Sequence, residues 1–522
     1  MNVRTAAFVT MVCAICSGLS SQEHEDSRDP VFFINSFTYN VKGNTSSGKG
    51  YTRPDALNRI AEFEKGMELT GKAELEAYIR EKTQILFNER FLESVNIDYT
   101  AGEMREDGKI PVDLFINVKD TWNIIAIPRP QYSSNSGWDI TIKARDYNFL
   151  GTMQPLRLDI GYRYDEQGRT FLNFMLDSDM PFSAFNLDWN FNFDNYFDYR
   201  PNMAEPYYYR NETGLSADLP IGQTTLTLGF SESFFVNEEN SDSRKIQYQN
   251  LFSTELGDFQ NGLYMSSKPY LSWKIPTGIV IGYLGDLVYT PNVSATFNHE
   301  FPQWRLDETR KGPFLSFGHS LGFGRIDWIG NFLNGIDLRI SNSYGYNFFN
   351  AREELEPWSA SLRITAIGHK TFDDMFGISA RLQYRQWFFE NYHESAGDVL
   401  RGVRDKDVSA DYMVSLNLDL SMKLIKFRPS GWLDNQKLRI FNFDLHIVPI
   451  LDAAIYRNPE REAELSGTDF TYKNMLISTG MEAIIFPEFF RSLFLRISLG
   501  INLSTLNGMA GYELFIGTDL HY

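Results

Sequence analysis

The sequence predicts a mainly β chain in which a transmembrane antiparallel β-barrel of about sixteen strands follows one small α+β domain. Three observations predict it. From about residue 120 onward, apolar and polar residues alternate over stretches of about ten positions, the length of a strand that crosses a bilayer. Ahead of that point the periodicity is mixed, with two helical repeats set between strands. At the N-terminus an export-type leader precedes a chain in which nothing approaches the ~18 uninterrupted apolar residues of a membrane-spanning helix.

Composition narrows the classes. The 522 residues are 43% hydrophobic and 15% aromatic, too apolar for a disordered chain, and 20 Pro with 38 Gly are too few for a fibrous one. A net charge of -18 argues against a nucleic-acid partner, which needs a cationic stripe to replace phosphate counterions. The mean hydropathy of -0.31 looks soluble, but a barrel strand turns half of its residues to water and conceals its membrane face in such an average.

Residues 1–21 read as a cleaved secretory signal: Arg4 is the basic start, Ala6 to Ile15 the apolar run, and Ser17, Gly18, Ser20 and Ser21 the small residues of a cleavage region. The run falls short of the ~20 residues of a membrane anchor. Residues 22–30 form a short linker. Both cysteines, Cys13 and Cys16, lie in the leader, and Ile15 is larger than the residue that normally precedes a lipid-modified Cys. Cleavage near Ser20 to Ser21 would leave no cysteine, and so no disulfide, thiol nucleophile or Cys–metal site.

Residues 31–119 read as strand, helix, helix, strand, strand, with a three-stranded sheet. A β-rich run from Val31 to Val41 ends at Gly43-Asn44; Pro54 opens a helix with Leu57, Ile60 and Phe63 at helical spacing. A second helix puts Leu75, Tyr78, Ile79, Ile85 and Leu86 on one face and Glu74, Glu76, Arg80 and Glu81 on the other. Val95 to Tyr99 alternates, Gly102 to Gly108 turns, and Ile110 to Val118 alternates again.

Residues 120–522 carry the barrel pattern. Phe185 to Asp194 and Val414 to Leu424 alternate without error, and weaker versions occur at Thr224 to Phe230, Ile378 to Phe388, Phe494 to Leu503 and Leu514 to Tyr522. A soluble sandwich also alternates, but its strands are shorter, about 5 to 6 residues. Only a closed barrel satisfies every backbone N–H and C=O of a sheet lying in lipid. At roughly 25 residues per strand with its connection, the segment holds about sixteen strands. Tyr196 to Asn211, Asn237 to Arg244 and Glu390 to Asp411 become external loops, and the remaining aromatic residues fit interfacial girdles.

Several motifs carry a family resemblance over essentially the whole chain after the leader. Gly43-Asn44, Gly66-Met67-Glu68-Leu69, Leu86-Phe87-Asn88, Phe91 to Val95 and Val112 to Val118 resemble a POTRA (polypeptide-transport-associated) domain. Val118-Lys119-Asp120, the turn Ser133 to Gly137 and Asp146 to Thr152 resemble the start of a BamA-type barrel. The chain thus resembles the POTRA-barrel outer-membrane assembly and translocation superfamily.

The resemblance implies a site. Leu400-Arg401-Gly402 looks like the family's Val-Arg-Gly-Phe/Tyr motif, carried on a loop folded back into the lumen, where the Arg pairs with an acidic residue on the wall. The candidate partner is Asp452 in Ile450 to Ala454, similar to the family's Phe-x-Asp-x-Gly strand. A confined guanidinium needs a carboxylate to offset its desolvation. Val403 replaces the motif aromatic, and Ala454 replaces the glycine. Gly517, Leu520 and Tyr522 match the outer-membrane β-signal of Gly, two residues, apolar, any residue, terminal aromatic, with Tyr512, Leu514, Ile516, Leu520 and Tyr522 on one face. The first barrel strand, about Asn123 to Tyr132, contains Pro128 and Pro130, which lack the N–H of a ladder and make a weak seam with the last strand. In the resembled family that seam opens sideways.

Other motifs point elsewhere. Gly318-His319-Ser320-Leu321-Gly322 fits the G-x-S-x-G elbow of a serine hydrolase, but no helical periodicity follows it. The seven His residues are scattered, none making an H-x-x-x-H pair, so neither a metal site nor a catalytic centre is expected. The acidic runs Glu353-Glu354 and Glu460 to Glu464 read as solvated turns. No Gly-rich phosphate loop appears, and no cofactor is expected. The expected protein is not an enzyme. It resides in the outer membrane with its POTRA domain in the periplasm, and its expected partners are lipid, client outer-membrane or secreted polypeptides and periplasmic accessory proteins. The rival expectation is a passive pore or a structural surface protein of the same fold.

Overall fold

The computed structural model describes residues 30–43, 49–121, 123–133, 137–164, 170–201, 206–237, 263–302, 306, 310–388, 394–395, 399–403, 409–457, 475–491, 493–504 and 511–518. The leader with both cysteines, most of the Asn237 to Arg244 insert, Leu520 and Tyr522 lie outside the described residues. Among the described residues no helix is long and apolar enough to cross a membrane.

The first elements are β1 (Val31–Lys42), helix α1 (Pro54–Ala61), β2 (Glu68–Thr70), helix α2 (Gly71–Asn88), β3 (Leu92–Ala101) and β4 (Lys109–Asp120). Proline at the first position of α1 needs no N–H partner, and Glu62 ends the helix in the left-handed conformation. The expected three-stranded sheet has a fourth member. Residues 68–70, read from sequence as part of a loop, pair with Val31 to Phe33 and give the order β2-β1-β4-β3. Three residues are too few for alternation to register.

The chain divides into two compact units, one of residues 1–38, 64–81 and 97–116 and one of residues 39–63, 82–96 and 117–522. In the smaller unit Ile34, Leu69, Leu75, Leu114 and Ile116 are buried, and Asp113 accepts a hydrogen bond of 2.8 Å from Asn35.

The larger unit holds the barrel. Its strands are β5 (Ile124–Ser133), β6 (Gly137–Asp146), β7 (Leu156–Tyr164), β8 (Thr170–Ala184), β9 (Leu187–Tyr199) and β10 (Tyr207–Ile221). There follow β11 (Thr224–Val236), β12 (Leu263–Val280), β13 (Asp286–Glu300), β14 (Phe314–Ile329), β15 (Phe332–Asn347), β16 (Trp358–Thr371) and β17 (Phe376–Phe388). A short clip, β18 (Glu394–Ser395) with β19 (Ser409–Ala410), interrupts the series. The barrel resumes with β20 (Tyr412–Phe427), β21 (Phe443–Arg457), β22 (Met475–Pro487), β23 (Leu495–Asn502) and β24 (Tyr512–Gly517). Among the described residues eighteen antiparallel strands close the barrel, each beside its sequence neighbour and β24 beside β5.

Eighteen strands, and not sixteen, fit because several connections at one end are only two residues long. Phe185 and Asn186 both have positive φ, making a two-residue hairpin turn of the primed type. This corrects the ten-residue alternation read from Phe185: the strand starts at Leu187, and Phe185, 91% exposed, is the turn tip. The Tyr196 to Asn211 insert is likewise mostly strand, leaving only residues 200–206 as connection. Residues 185–186, 222–223 and 330–331 mark the turn end, and the connection from β17 to β20 is at the opposite, loop end.

Inside and outside follow the strand period. Along β23, Leu495, Ile497, Leu499 and Ile501 are exposed, whereas Arg496, Ser498, Gly500 and Asn502 are buried. This arrangement is inverted relative to a soluble protein, with the polar side chains inside.

Candidate functional site

Between β17 and β20, residues 399–403 lie inside the lumen, with Arg401 against the wall made by β20, β21 and β22. Arg401 is 5% exposed and Asp452 fully buried. Strand alternation aims Asp419, Asp452 and Glu482 inward, and the guanidinium meets all three. Its Nε donates to Asp452 Oδ2 at 3.0 Å and its Nη2 to Asp452 Oδ1 at 2.7 Å, a two-pronged contact. Nη2 also donates to Asp419 Oδ1 at 2.6 Å and Nη1 to Glu482 Oε1 at 3.2 Å. The Arg401 backbone N–H donates to Asp452 Oδ2 at 2.9 Å, so side chain and main chain are held by one carboxylate. Burial works against the charged guanidinium, but the hydrogen bond to Asp452 and the charges of Asp419, Asp452 and Glu482 outweigh it and hold Arg401 above its usual pKa.

The flanking residues fix the same loop. Gly402 N–H donates to Glu513 Oε2 on β24 at 2.9 Å. Asn417 Nδ2 donates to the Val399 carbonyl at 2.7 Å and Asn417 Oδ1 accepts from Arg381 Nε at 3.0 Å. Glu482 accepts from Arg496 Nη1 at 3.2 Å as well. Leu400 packs in a buried cluster with Val399, Val403, Met413, Ala454 and Leu476. Val403 and Ala454 therefore sit in one cluster, the loop side chain against a methyl group on the wall. Beyond the carboxylates a cavity of about 70 Å³ continues, bounded by Asp419, Glu482, His369, Trp328 and Phe486.

The proline-bearing strand lies at the closure. Ten consecutive register pairs join β5 to β6, including Pro128 with Ile142 and Pro130 with Ile140. Proline is tolerated in so continuous a ladder only where its nitrogen faces away from the partner, so both missing N–H groups point toward β24. Among the described residues β24 meets β5 at Phe515 with Ser133 and Ile516 with Tyr132, whereas β23 and β24 share six pairs. Gly517 ends β24, and a side chain there would come within 3.0 Å of Arg129, which sits between the two prolines.

Within the larger unit, two further anchors lie at the turn end. Asp120 accepts from the backbone of Tyr51 at 2.6 Å and of Thr52 at 3.1 Å, and from the Thr52 hydroxyl at 2.7 Å. Asn148 donates to Thr52 Oγ1 at 2.6 Å, and Arg53 N–H donates to the Gly151 carbonyl at 3.0 Å. Gly151, with φ of +75°, passes so close to Tyr51 that a Cβ would lie 2.4 Å from its carbonyl oxygen. The motif Asp146 to Thr152 thus acts as a stitch to residues 51–53. The second anchor is Arg90, whose guanidinium stacks 4.2 Å from the Trp328 ring and 5.1 Å from that of Phe494 and donates to Asn331 Oδ1 at 3.2 Å. Burial, with the neighbouring Arg491, pushes the Arg90 pKa down to about 9.

Sequence reasoning missed Asp419, Glu482, Glu513, Asn417 and Gly500, whose only common signal is an inward register on alternating strands. Ser320 lies inside β14, paired with Thr290 and Ser341, so the strand–turn–helix of a nucleophile elbow is not formed there.

No protein-family model matches the chain, and no curated protein matches it in sequence. Among solved structures the chain is similar to BamA from Haemophilus ducreyi lacking POTRA domains 1–3, at 14% identity over 93% of this chain and 84% of that one, with a TM-score of 0.37. It is similar also to CdiB from Acinetobacter baumannii, at 12% identity over 94% of this chain and 74% of that one, with a TM-score of 0.45. CdiB from Escherichia coli is 9% identical over 96% of this chain and 93% of that one, with a TM-score of 0.42.

Proposed function

We propose that the protein is an outer-membrane barrel of the POTRA-barrel type that assists insertion and assembly of membrane proteins or the translocation of polypeptides. The observation that carries this reading is the loop clamped inside the lumen by Arg401, beside a barrel closure whose first strand turns two prolines toward the last. A latched loop and a closure edged by two prolines are the two parts a barrel needs to open on command, and neither serves a pore that stays open. The inverted pattern of β23, polar inside and apolar outside, supports a lipid surroundings. The residue 31–119 segment is the POTRA domain, facing the periplasm. Its edge strand β3 offers a ladder for client or partner chains by strand addition. The action is binding and templating, with no bond made or broken.

Depletion of the protein followed by a proteomic inventory of the outer membrane tests this. A selective loss of other barrels or of secreted polypeptides is the expected result; an unchanged inventory would leave the passive pore as the better reading.

A further inference from the structure

The connection between β20 and β21, residues 428–442, is far longer than the two-residue hairpins at 185–186, 222–223 and 330–331 on the same end. It contains a single helical turn, Pro429–Trp432, and a 3-10 segment, Gln436–Phe441. Its two sides differ. On one, Arg428 donates to Asp444 Oδ1 at 2.6 Å and pairs with Glu488 at 3.0 Å, Arg439 pairs with Glu488 at 3.5 Å and with Glu93 at 3.4 Å, and buried Asn442 binds Ser430 and Glu488. On the other, Trp432, Leu433, Ile440 and Phe441 are 64%, 69%, 46% and 61% exposed.

Four large apolar side chains exposed together mark a covered surface, and the register says what covers it. Along β21 the inward residues are Asp444, His446, Val448, Ile450 and Asp452, so Phe443, Leu445 and Leu451 face outward. Phe443 is the register partner of Phe427, and their rings stack at 5.0 Å on that outer face. Trp432 meets Phe427 edge-on at 5.0 Å. The exposed side of the connection is therefore continuous with the outer apolar surface of the barrel and not with its lumen. A β-bulge between Lys423 and Ile425 adds Leu424, also exposed, to the same surface.

We infer that residues 428–442 are an interfacial foot: Trp432, Leu433, Ile440 and Phe441 sit among the acyl chains of the lipid leaflet at the turn end, while Arg428 and Arg439 hold the polar side of the segment to Asp444, Glu488 and Glu93. Short amphipathic segments with an aromatic residue at the boundary take this position in bilayers. Because Arg439 also holds Glu93, the foot braces residues 82–96 against the leaflet. This rests on the membrane-barrel reading above.

The test uses the full chain with Cys13 and Cys16 changed to Ser, and two single-cysteine variants, Leu433→Cys on the foot and Leu451→Cys on the outer barrel face. Each is labelled with an environment-sensitive fluorophore and reconstituted into phosphatidylcholine–phosphatidylethanolamine vesicles. The expected result is at least a two-fold quenching of the Leu433 label by lipids brominated near the headgroup, with little quenching by aqueous iodide. A Leu433 label quenched by iodide while the Leu451 label is quenched by bromolipid overturns the foot and leaves the barrel reading standing. Shielding of the Leu433 label from both quenchers means that protein covers the segment, which also overturns the inference. If both labels report water, the membrane-barrel reading itself fails.

Discussion

Gly402 of the lumenal loop and Gly500 of β23 lie backbone against backbone. A Cβ built on Gly402 would fall 2.8 Å from the Gly500 carbonyl carbon, and one built on Gly500 would fall 2.5 Å from the Gly402 nitrogen. Gly402 also has φ of +89°, a conformation that costs an L-residue about 1–2 kcal/mol. The tip of the loop is thus fixed by absence of side chains as firmly as by the ion pairs beside it.

The first prediction follows from that contact. Gly402→Ala and Gly500→Ala each force the loop off the wall by steric overlap, and Gly402→Ala adds backbone strain. Both variants are expected to expose residues 399–403 to added protease while the barrel still migrates as a folded band in unheated electrophoresis. A loop as resistant as that of the parent would refute the close approach.

The second concerns Arg401. Removing it leaves Asp419, Asp452 and Glu482 facing one another without their shared cation, and breaking a buried pair typically costs about 3–5 kcal/mol. Arg401→Ala should therefore lower the temperature at which the folded band is lost and make single-channel conductance noisier as the loop moves. Arg401→Lys should rescue little, because an ammonium cannot make the forked contact to Asp452. Restoration of quiet conductance by Lys would mean that charge alone, and not the fork, holds the loop.

These residues also show how far the sequence reaches. Arg401 and Asp452 could be paired beforehand because each sits in a short recognisable motif. Asp419, Glu482 and Glu513 could not, since each is one inward position among many and only closure of the barrel brings them to a loop 18 to 111 residues away. The barrel itself was legible from alternation, as along β23, but the count was not. Hairpins such as Phe185–Asn186 use fewer residues than the average connection, and alternation runs through a two-residue turn without a break. The fourth strand of the small sheet, Glu68–Thr70, is likewise too short to announce itself.

The third prediction tests the stitch between Asp120 and residues 51–52. Asp120→Ala orphans two backbone N–H groups and the Thr52 hydroxyl, at about 1–3 kcal/mol for each group left buried and unpaired. Hydrogen exchange should rise in residues 49–59 and 147–153 and stay unchanged in β14 to β17. Asp120→Asn keeps an acceptor and should show a smaller rise. Equal exchange in both variants would place the anchoring elsewhere.

The fourth prediction concerns the closure. Restoring the missing donors with Pro128→Val and Pro130→Val gives β5 two more N–H groups directed at β24, each net hydrogen bond contributing about 0.5–1.5 kcal/mol. The double variant should keep its folded band at a higher temperature and work more slowly wherever lateral opening limits the rate. A disulfide between Tyr132→Cys and Ile516→Cys, which are register partners, locks the same seam covalently. The expected outcome is a folded barrel that cannot support the outer-membrane inventory until a reductant is added. Full function in the locked form would show that clients do not pass through the β5–β24 seam. In that case the prolines would serve only to keep the first strand from pairing with the wrong partner during closure.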